Sequence, residues 1–301
     1  MDAVSLLAKR DDLSASALGG NKVRALELLL AGVGPGHRLL TIGSTGSTHA
    51  LAVAHYGGRL GAVTEVVTWP QEENAISRET ARRLLTCARV TAARSPVDAY
   101  LRAALRRATR DVRWIPAGGS CAPGVLGHAS AALEFVAQRQ RVGLPLPAEV
   151  VVPLGSGGTA AGLLLGLAVA GVTTRVVGVR VVPRSVGNRW RVMRLARQGR
   201  ALLARLSGEP VPELDAERLE IAQDAYGGAY GRETEIARNA AQLLRVTGGP
   251  GLDGTYSAKA FGHALARARR APEDSVLFWL TFDGRWLEAF DEESPVLRPP
   301  R

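Results

Sequence analysis

The sequence predicts an α/β protein with mostly parallel sheets. Short β-branched runs alternate with longer Ala-, Leu- and Arg-rich stretches at helical spacing, which is how βαβ crossovers read in a chain. Glycine-rich turns sit where a run passes into a helix, the clearest being VVVPLGSGGTAAGLLLGLA at 150–168. In chain order, LGGNKVRALELLL (18–30) carries leucines at helical spacing after two glycines, and RLLTIGS (38–44) and AVTEVVTWP (62–70) read as strands. So do EVVVPLG (149–155), RVVGVRVV (175–182) and SVLFWLTF (275–282). Helices are expected over 47–61, 75–88, 99–110, 129–140, 159–171, 189–206 and 233–248. Stretches 141–149 and 206–218 read as connections, and the tail 293–301 as frayed.

Composition narrows the function classes. With 301 residues, 46% hydrophobic and 22% charged, the chain suits one large or two medium globular domains. A charge of +10 admits nucleic acid, but the arginines are spread over helical segments and only 5% of residues are aromatic, so a base-stacking platform is not expected. Cys87 and Cys121 lack metal-ligand spacing and the five histidines are scattered, so neither a metal site nor a disulfide is expected. The longest apolar stretch, 160–172, is short and glycine-interrupted, and the N-terminal stretch carries no targeting pattern, so a cytosolic protein without membrane or nucleic-acid partners is expected.

Only three of the 38 basic residues are lysines: Lys9, Lys22 and Lys259. Arginine keeps its proton, whereas a desolvated lysine amine can lose it and attack a carbonyl, so these three are the candidates for nucleophilic chemistry. The second candidate feature is the turn Gly155-Ser156-Gly157-Gly158-Thr159 between strand and helix. Small residues let consecutive N–H groups converge, and a helix N-terminus adds positive partial charge, which suits a phosphate. The turn lacks the Gly-Lys-Ser/Thr ending of a nucleotide P-loop, and no acidic residue ends the next strand as a dinucleotide site requires.

These features and their order resemble pyridoxal-phosphate (PLP) enzymes of fold type II, specifically the D-cysteine desulfhydrase and 1-aminocyclopropane-1-carboxylate (ACC) deaminase group. KRDDLSASALGGNKVRALELLL is similar to the group's lysine segment, LLTIGSTGSTHALAVAHYGGRLG to its Gln-Ser-Asn-His helix, and PAGGSCAPGVLGHASAALE to its Gly-Gly-Ser-Asn segment. GSGGTAAGLLLG resembles its phosphate loop, DAYGGAYGRETEIARNAA its Gly-Tyr-Gly segment, LDGTYSAKAFGHAL its tyrosine segment, and VLFWLTFDGRWLEAF its His-Thr-Gly-Gly end. The resemblance implies a tryptophan synthase β-like fold of two open, twisted, mostly parallel sheets flanked by helices. It implies a small domain over 36–116, a large PLP-binding domain over 1–35 and 117–301, and a homodimer.

By the same resemblance Lys22 is the Schiff-base lysine and base, Ser47 meets a substrate carboxylate or shares in proton transfer, and Tyr256 acts as acid, base or nucleophile. Gly155, Ser156, Gly157, Gly158 and Thr159 would hold the phosphate, Thr281 would meet the pyridine nitrogen, and Thr48 would lie at the cofactor. Lys9 and Lys259 fall on structural positions. The implied reaction is α,β-elimination from a small, possibly D-configured, amino acid to a keto acid and ammonia. Ser257, where ACC deaminases carry Glu, points to the desulfhydrase branch. The chain departs from the group at Gly46 and Thr48, which replace Gln and Asn, at Cys121, Ala258, and at Phe282 and Asp283, which replace two glycines and would bring bulk and charge near the ring. The stretch also opens at LLAKRDDL without the group's usual Pro-Thr-Pro-Leu. A PLP-dependent β-replacement enzyme, a non-catalytic PLP- or amino-acid-binding descendant and a dinucleotide oxidoreductase stay open as alternatives.

Overall fold

The structure, a computed structural model, describes residues 6–109, 111–271 and 275–285; the tail at 293–301 lies outside them. In chain order the elements are β1 (Leu6–Arg10), α1 (Asn21–Leu29), β2 (Arg38–Ser44), α2 (Thr48–Arg59), β3 (Val63–Trp69), α3 (Ala75–Cys87), β4 (Arg89–Ala92), α4 (Pro96–Thr109) and β5 (Arg113–Ile115). There follow α5 (Ala122–Arg141), β6 (Glu149–Leu154), α6 (Gly158–Val169), β7 (Arg175–Arg180), α7 (Arg189–Ser207), β8 (Leu219–Ala222), α8 (Glu235–Val246), α9 (Ser257–Arg270) and β9 (Val276–Leu280). Two parallel sheets result, one in the order β1-β9-β6-β7-β8 and one in the order β4-β3-β2-β5. The α/β class and the helix-flanked parallel sheets expected from the sequence are those found.

The chain divides into two compact units. Unit 1 takes the described residues up to Ala25 and those from Ser120 to Gly284; unit 2 takes Leu26–Gly119. The smaller unit begins within α1 at Leu26 and ends at Gly119, both within about ten residues of the bounds 36 and 116, the margin with which those bounds are drawn from the sequence.

Unit 1 is wound on both faces of its sheet. Val150, Val152 and Leu154 of β6, with Leu277 and Trp279 of β9, join residues of α5, α6 and α7 in one core. Val151, Val276, Phe278 and Leu280 alternate to the opposite face and join residues of α8 and α9. Strands buried on both faces lose the polar half of the period-two pattern, which is why β6 and β9 read as unbroken apolar runs. Trp279 is 1% exposed, and its Nε1 donates to Asp11 Oδ2 at 2.7 Å; truncating it to Ala should cost about 3–5 kcal/mol. In unit 2, Leu40, Ile42 and Val67 pack against Ala99 and Ala103 of α4, while α2 lies on β2 and β3.

This winding sets where chemistry can sit. In an open parallel sheet, ligands bind outside the carboxyl ends of the strands. The ends of the neighbours β1, β9 and β6 lead to the turn before Lys22, to Thr281 and to Gly155.

Candidate active site

Lys22 is the second residue of α1, entered through a turn of unusual backbone. Leu18 has φ 49°, the one positive value for a non-glycine residue among the described residues, and Gly20 has φ 106°. A left-handed non-glycine residue costs roughly 1–2 kcal/mol, and neighbouring strands hold it there. Gly20 N donates to Asp11 O at 2.8 Å, Asn21 N to Thr281 O at 3.1 Å, and Gly19 N to Asp283 Oδ2 at 3.1 Å. The half-buried Lys22 is desolvated, which brings its amine down from 10.5 to about 8 although the Asp253 carboxylate opposes the shift. An amine in that range is neutral in a far larger share of molecules near neutral pH than an ordinary lysine, which suits a nucleophile or base.

The other two lysines are committed elsewhere. Lys9 Nζ donates to Glu134 Oε1 at 2.5 Å and to Gln138 Oε1 at 2.9 Å. Lys259, 1% exposed, donates to Tyr226 O at 3.1 Å.

The β6–α6 junction forms the second part. Gly157, with φ 96°, is the N-cap of α6 and has no side chain of its own to cap the helix. The left-handed φ favours glycine, and first-turn N–H groups beyond that of Gly158 are placed to meet an anion. Hydroxyls surround the turn: Ser120 Oγ and Ser156 Oγ are 2.6 Å apart, Gly158 N donates to Ser120 Oγ at 3.2 Å, and Thr159 Oγ1 accepts from Asn21 Nδ2 at 2.8 Å. A Cβ on Gly158 would come within 2.8 Å of Ser120 Oγ, and one on Gly155 within 3.0 Å of Tyr256 Cε1. Beneath it, His128 is 3% exposed, and burial with the Lys22 and Arg24 charges brings its imidazole down to about 3, so it is neutral.

Tyr256 leads into α9 through Asp253, whose carboxylate accepts from the N–H groups of Thr255, Tyr256 and Ser257 at 3.1, 2.7 and 3.0 Å. The Tyr256 and Tyr230 hydroxyls share a short hydrogen bond. Burial first, then Tyr230 and Asp253, push the Tyr256 phenol well above its usual value. The Tyr256 hydroxyl therefore stays protonated, which disfavours a phenolate as base or nucleophile. Ser257 is fully buried, with a hydroxyl that finds no partner among the described residues.

The chain belongs to the pyridoxal-phosphate dependent enzymes. Residues 2–281 match the family of that description. The chain is 37% identical to nocardicin C-9' epimerase of Nocardia uniformis subsp. tsuyamanensis, over 98% of this chain and 90% of that one. It is 33% identical to D-cysteine desulfhydrase of Serratia proteamaculans, over 90% of this chain and 84% of that one. Among solved structures, an ACC deaminase homologue superposes with a TM-score of 0.77 at 27% identity, covering 93% of this chain and 84% of its own.

The residues present fit PLP on chemical grounds. A glycine turn ringed by hydroxyls suits its phosphate, and a desolvated amine suits its aldehyde. Unit 1 carries Lys22, Gly155–Thr159, Tyr256 and Thr281. Ser47 and Thr48 belong to unit 2, where Ser47 caps α2 by accepting from Ala50 N at 3.3 Å and Thr48 is the helix's first residue.

Sequence reasoning gave no role to Asn21, Ser120, His128, Tyr230 or Asp253. Asp253 had a local signal, an Asp opening an Asp-Gly-Thr-Tyr-Ser turn before a helix. Tyr230 stood in a stretch already matched to the group. His128 also stood in a matched stretch, 116–134, but its surroundings come from helix α6 packed over it and from Lys22. The expected intrusion of Asp283 is corrected in one respect: its carboxylate, 1% exposed, is turned to the Gly19 N–H.

Among the described residues, no group of three or more His, Cys, Asp or Glu could hold a metal ion. No described helix is long and apolar enough to cross a membrane.

Proposed function

We propose that this PLP-dependent enzyme removes the α-proton of a small amino acid with Lys22 and expels a β-substituent with Tyr256 as acid, releasing a keto acid and ammonia. The observation that carries the reading is the arrangement around Asp253: its carboxylate accepts from the Tyr256 N–H at 2.7 Å, the Tyr256 hydroxyl is hydrogen-bonded to Tyr230, and the same carboxylate acts on the desolvated Lys22 amine. A desolvated amine suits the base, and a phenol held protonated is the proton-bearing group beside it. PLP, when bound, supplies the electron sink that stabilises negative charge at Cα. Lys22 Nζ takes up the proton. Tyr256 Oη, hydrogen-bonded to Tyr230 Oη, keeps a proton for the departing group. Asp253 fixes both ends of the arrangement: its oxygens hold the Tyr256 backbone N–H, and its charge acts on Lys22.

Gly155–Thr159 is assigned to the phosphate, Thr281 to the pyridine nitrogen, Ser47 to the substrate carboxylate and Thr48 to the cofactor. Ser257, in place of a carboxylate, supports elimination over cyclopropane opening. The family resemblance also supports a cytoplasmic homodimer, which light scattering on the purified protein tests.

The 37% identity to an epimerase over 98% of this chain favours a second reading, in which the same pair removes and returns the α-proton on opposite faces. Assay in D2O with D-cysteine, β-chloro-D-alanine, D-serine, their L forms and ACC separates the two. Keto acid from a β-substituted substrate in preference to ACC is the expected result. Deuterated, inverted amino acid without keto acid would replace elimination by epimerisation, and preferential turnover of ACC would contradict the branch.

A further inference from the structure

The turn that delivers Lys22 is wedged between the ends of two strands. A Cβ on Gly19 would collide with Asp12 O, and one on Gly20 with Thr281 O. Gly20 N is held on the β1 side by Asp11 O at 2.8 Å and Ser14 Oγ at 3.1 Å, and Asn21 N on the β9 side by Thr281 O at 3.1 Å. Gly19 stands between the left-handed Leu18 and Gly20, and its N–H is taken by a residue 264 positions away, Asp283, at 3.1 Å. Asp283 is 1% exposed, and it follows the antiparallel bridge that pairs Gly20 with Phe282. A carboxylate acceptor makes a stronger bond to an N–H than a neutral one.

We propose that Asp283 is a positioning residue for Lys22: by accepting from the Gly19 N–H, its buried carboxylate ties the left-handed turn at Leu18–Gly20 to the end of β9 and fixes the start of α1 that carries the amine. The proposal rests on the assignment of Lys22 as the cofactor lysine. It also gives a reason for a bulky, charged pair where the resembling group has two glycines. Phe282 extends the strand pairing to Gly20, and Asp283 closes the next bond.

The test compares the full chain with Asp283→Ala, which removes the acceptor, and Asp283→Asn, which keeps a carbonyl oxygen in its place. Amide hydrogen exchange of the peptide spanning 14–24 is followed in the cofactor-free protein, PLP affinity by the visible absorbance of the loaded protein, and attachment by borohydride reduction with peptide mapping. Loss of one charge-assisted bond should speed exchange and weaken PLP binding by about ten-fold or more in Asp283→Ala, and Asp283→Asn should recover most of both, to within about three-fold of wild type. An Asp283→Ala protein equal to wild type in exchange and affinity would overturn the proposal. So would Asp283→Asn as impaired as Asp283→Ala, because restoring an acceptor oxygen would then restore nothing. If Asp283→Ala does not fold, Asp283→Asn decides alone: near wild type supports the tie, and a ten-fold loss in the folded protein overturns it. A wild-type label on a residue other than Lys22 would overturn the cofactor assignment and this proposal together. A label on Lys22 with unchanged variants would overturn only this one.

Discussion

Lys22 and Lys259 share a unit and differ in almost everything else. Lys259 is nearly inaccessible on α9, and its Nζ donates to a backbone carbonyl, Tyr226 O, in the loop that leads to Tyr230. Lys22 is less covered, yet its surroundings desolvate the amine while Asp253 acts only through its field. On the proposed reading, a buried lysine given a hydrogen-bond acceptor is a strut, whereas one desolvated beside a glycine turn is a reagent.

The widest separation between them should appear on removal. Lys22→Ala should lower α-proton removal by about 10³-fold or more, the loss expected for a base and nucleophile together, whereas Lys259→Met should keep its turnover per folded, PLP-loaded molecule within about ten-fold of wild type. Single-turnover deuterium exchange at Cα on both variants checks this. Comparable losses would erase the distinction.

Titration should sharpen it. Below pH 8 the Lys22 amine is charged in both folded and unfolded chains, and its desolvation penalty is fully felt. Between about 8 and 10.5 the folded amine is neutral while the unfolded one still binds a proton, so stability rises with pH across that window and levels off above it. The gain is on the order of 3 kcal/mol. Urea unfolding of cofactor-free wild type and Lys22→Met from below pH 8 to above pH 10.5 should show the slope in wild type and its disappearance in the variant.

On the Lys22 side, binding and folding should come apart. Gly157→Val forces a β-branched residue into φ 96° and covers the N–H groups of the turn, so PLP affinity should fall by roughly 10–100-fold. Denaturant titration of the cofactor-free protein gives the accompanying stability change, expected at about 1–2 kcal/mol. On the Lys259 side they should not: Lys259→Met leaves Tyr226 O without this donor and should destabilise the fold by about 1–3 kcal/mol, with PLP still attached at Lys22.

The same contrast between inside and edge decides what could be read from the sequence. The five strands expected at 38–44, 62–70, 149–155, 175–182 and 275–282 are β2, β3, β6, β7 and β9, the interior strands of their sheets. The four unseen ones, β1, β4, β5 and β8, are the sheet edges, three to five residues long and partly exposed, without a sustained apolar run. At the site, Lys22 and the Gly155–Thr159 turn were legible because lysine is scarce here and a strand–glycine–helix junction is a local pattern. Asn21, His128 and Tyr230 were not, since their partners Thr159, Lys22 and Tyr256 come from distant elements. Asp283 was read as an intruding charge because nothing local shows that Gly19, across the chain, offers it an N–H.

The central claim is that one of three lysines, chosen by its surroundings, carries the cofactor. Borohydride reduction of the PLP-loaded wild-type protein, followed by peptide mapping, tests it most directly. A pyridoxyl group confined to Lys22 is the expected result; a pyridoxyl group on Lys9 or Lys259, or a cofactor that leaves every lysine unmodified, would contradict it.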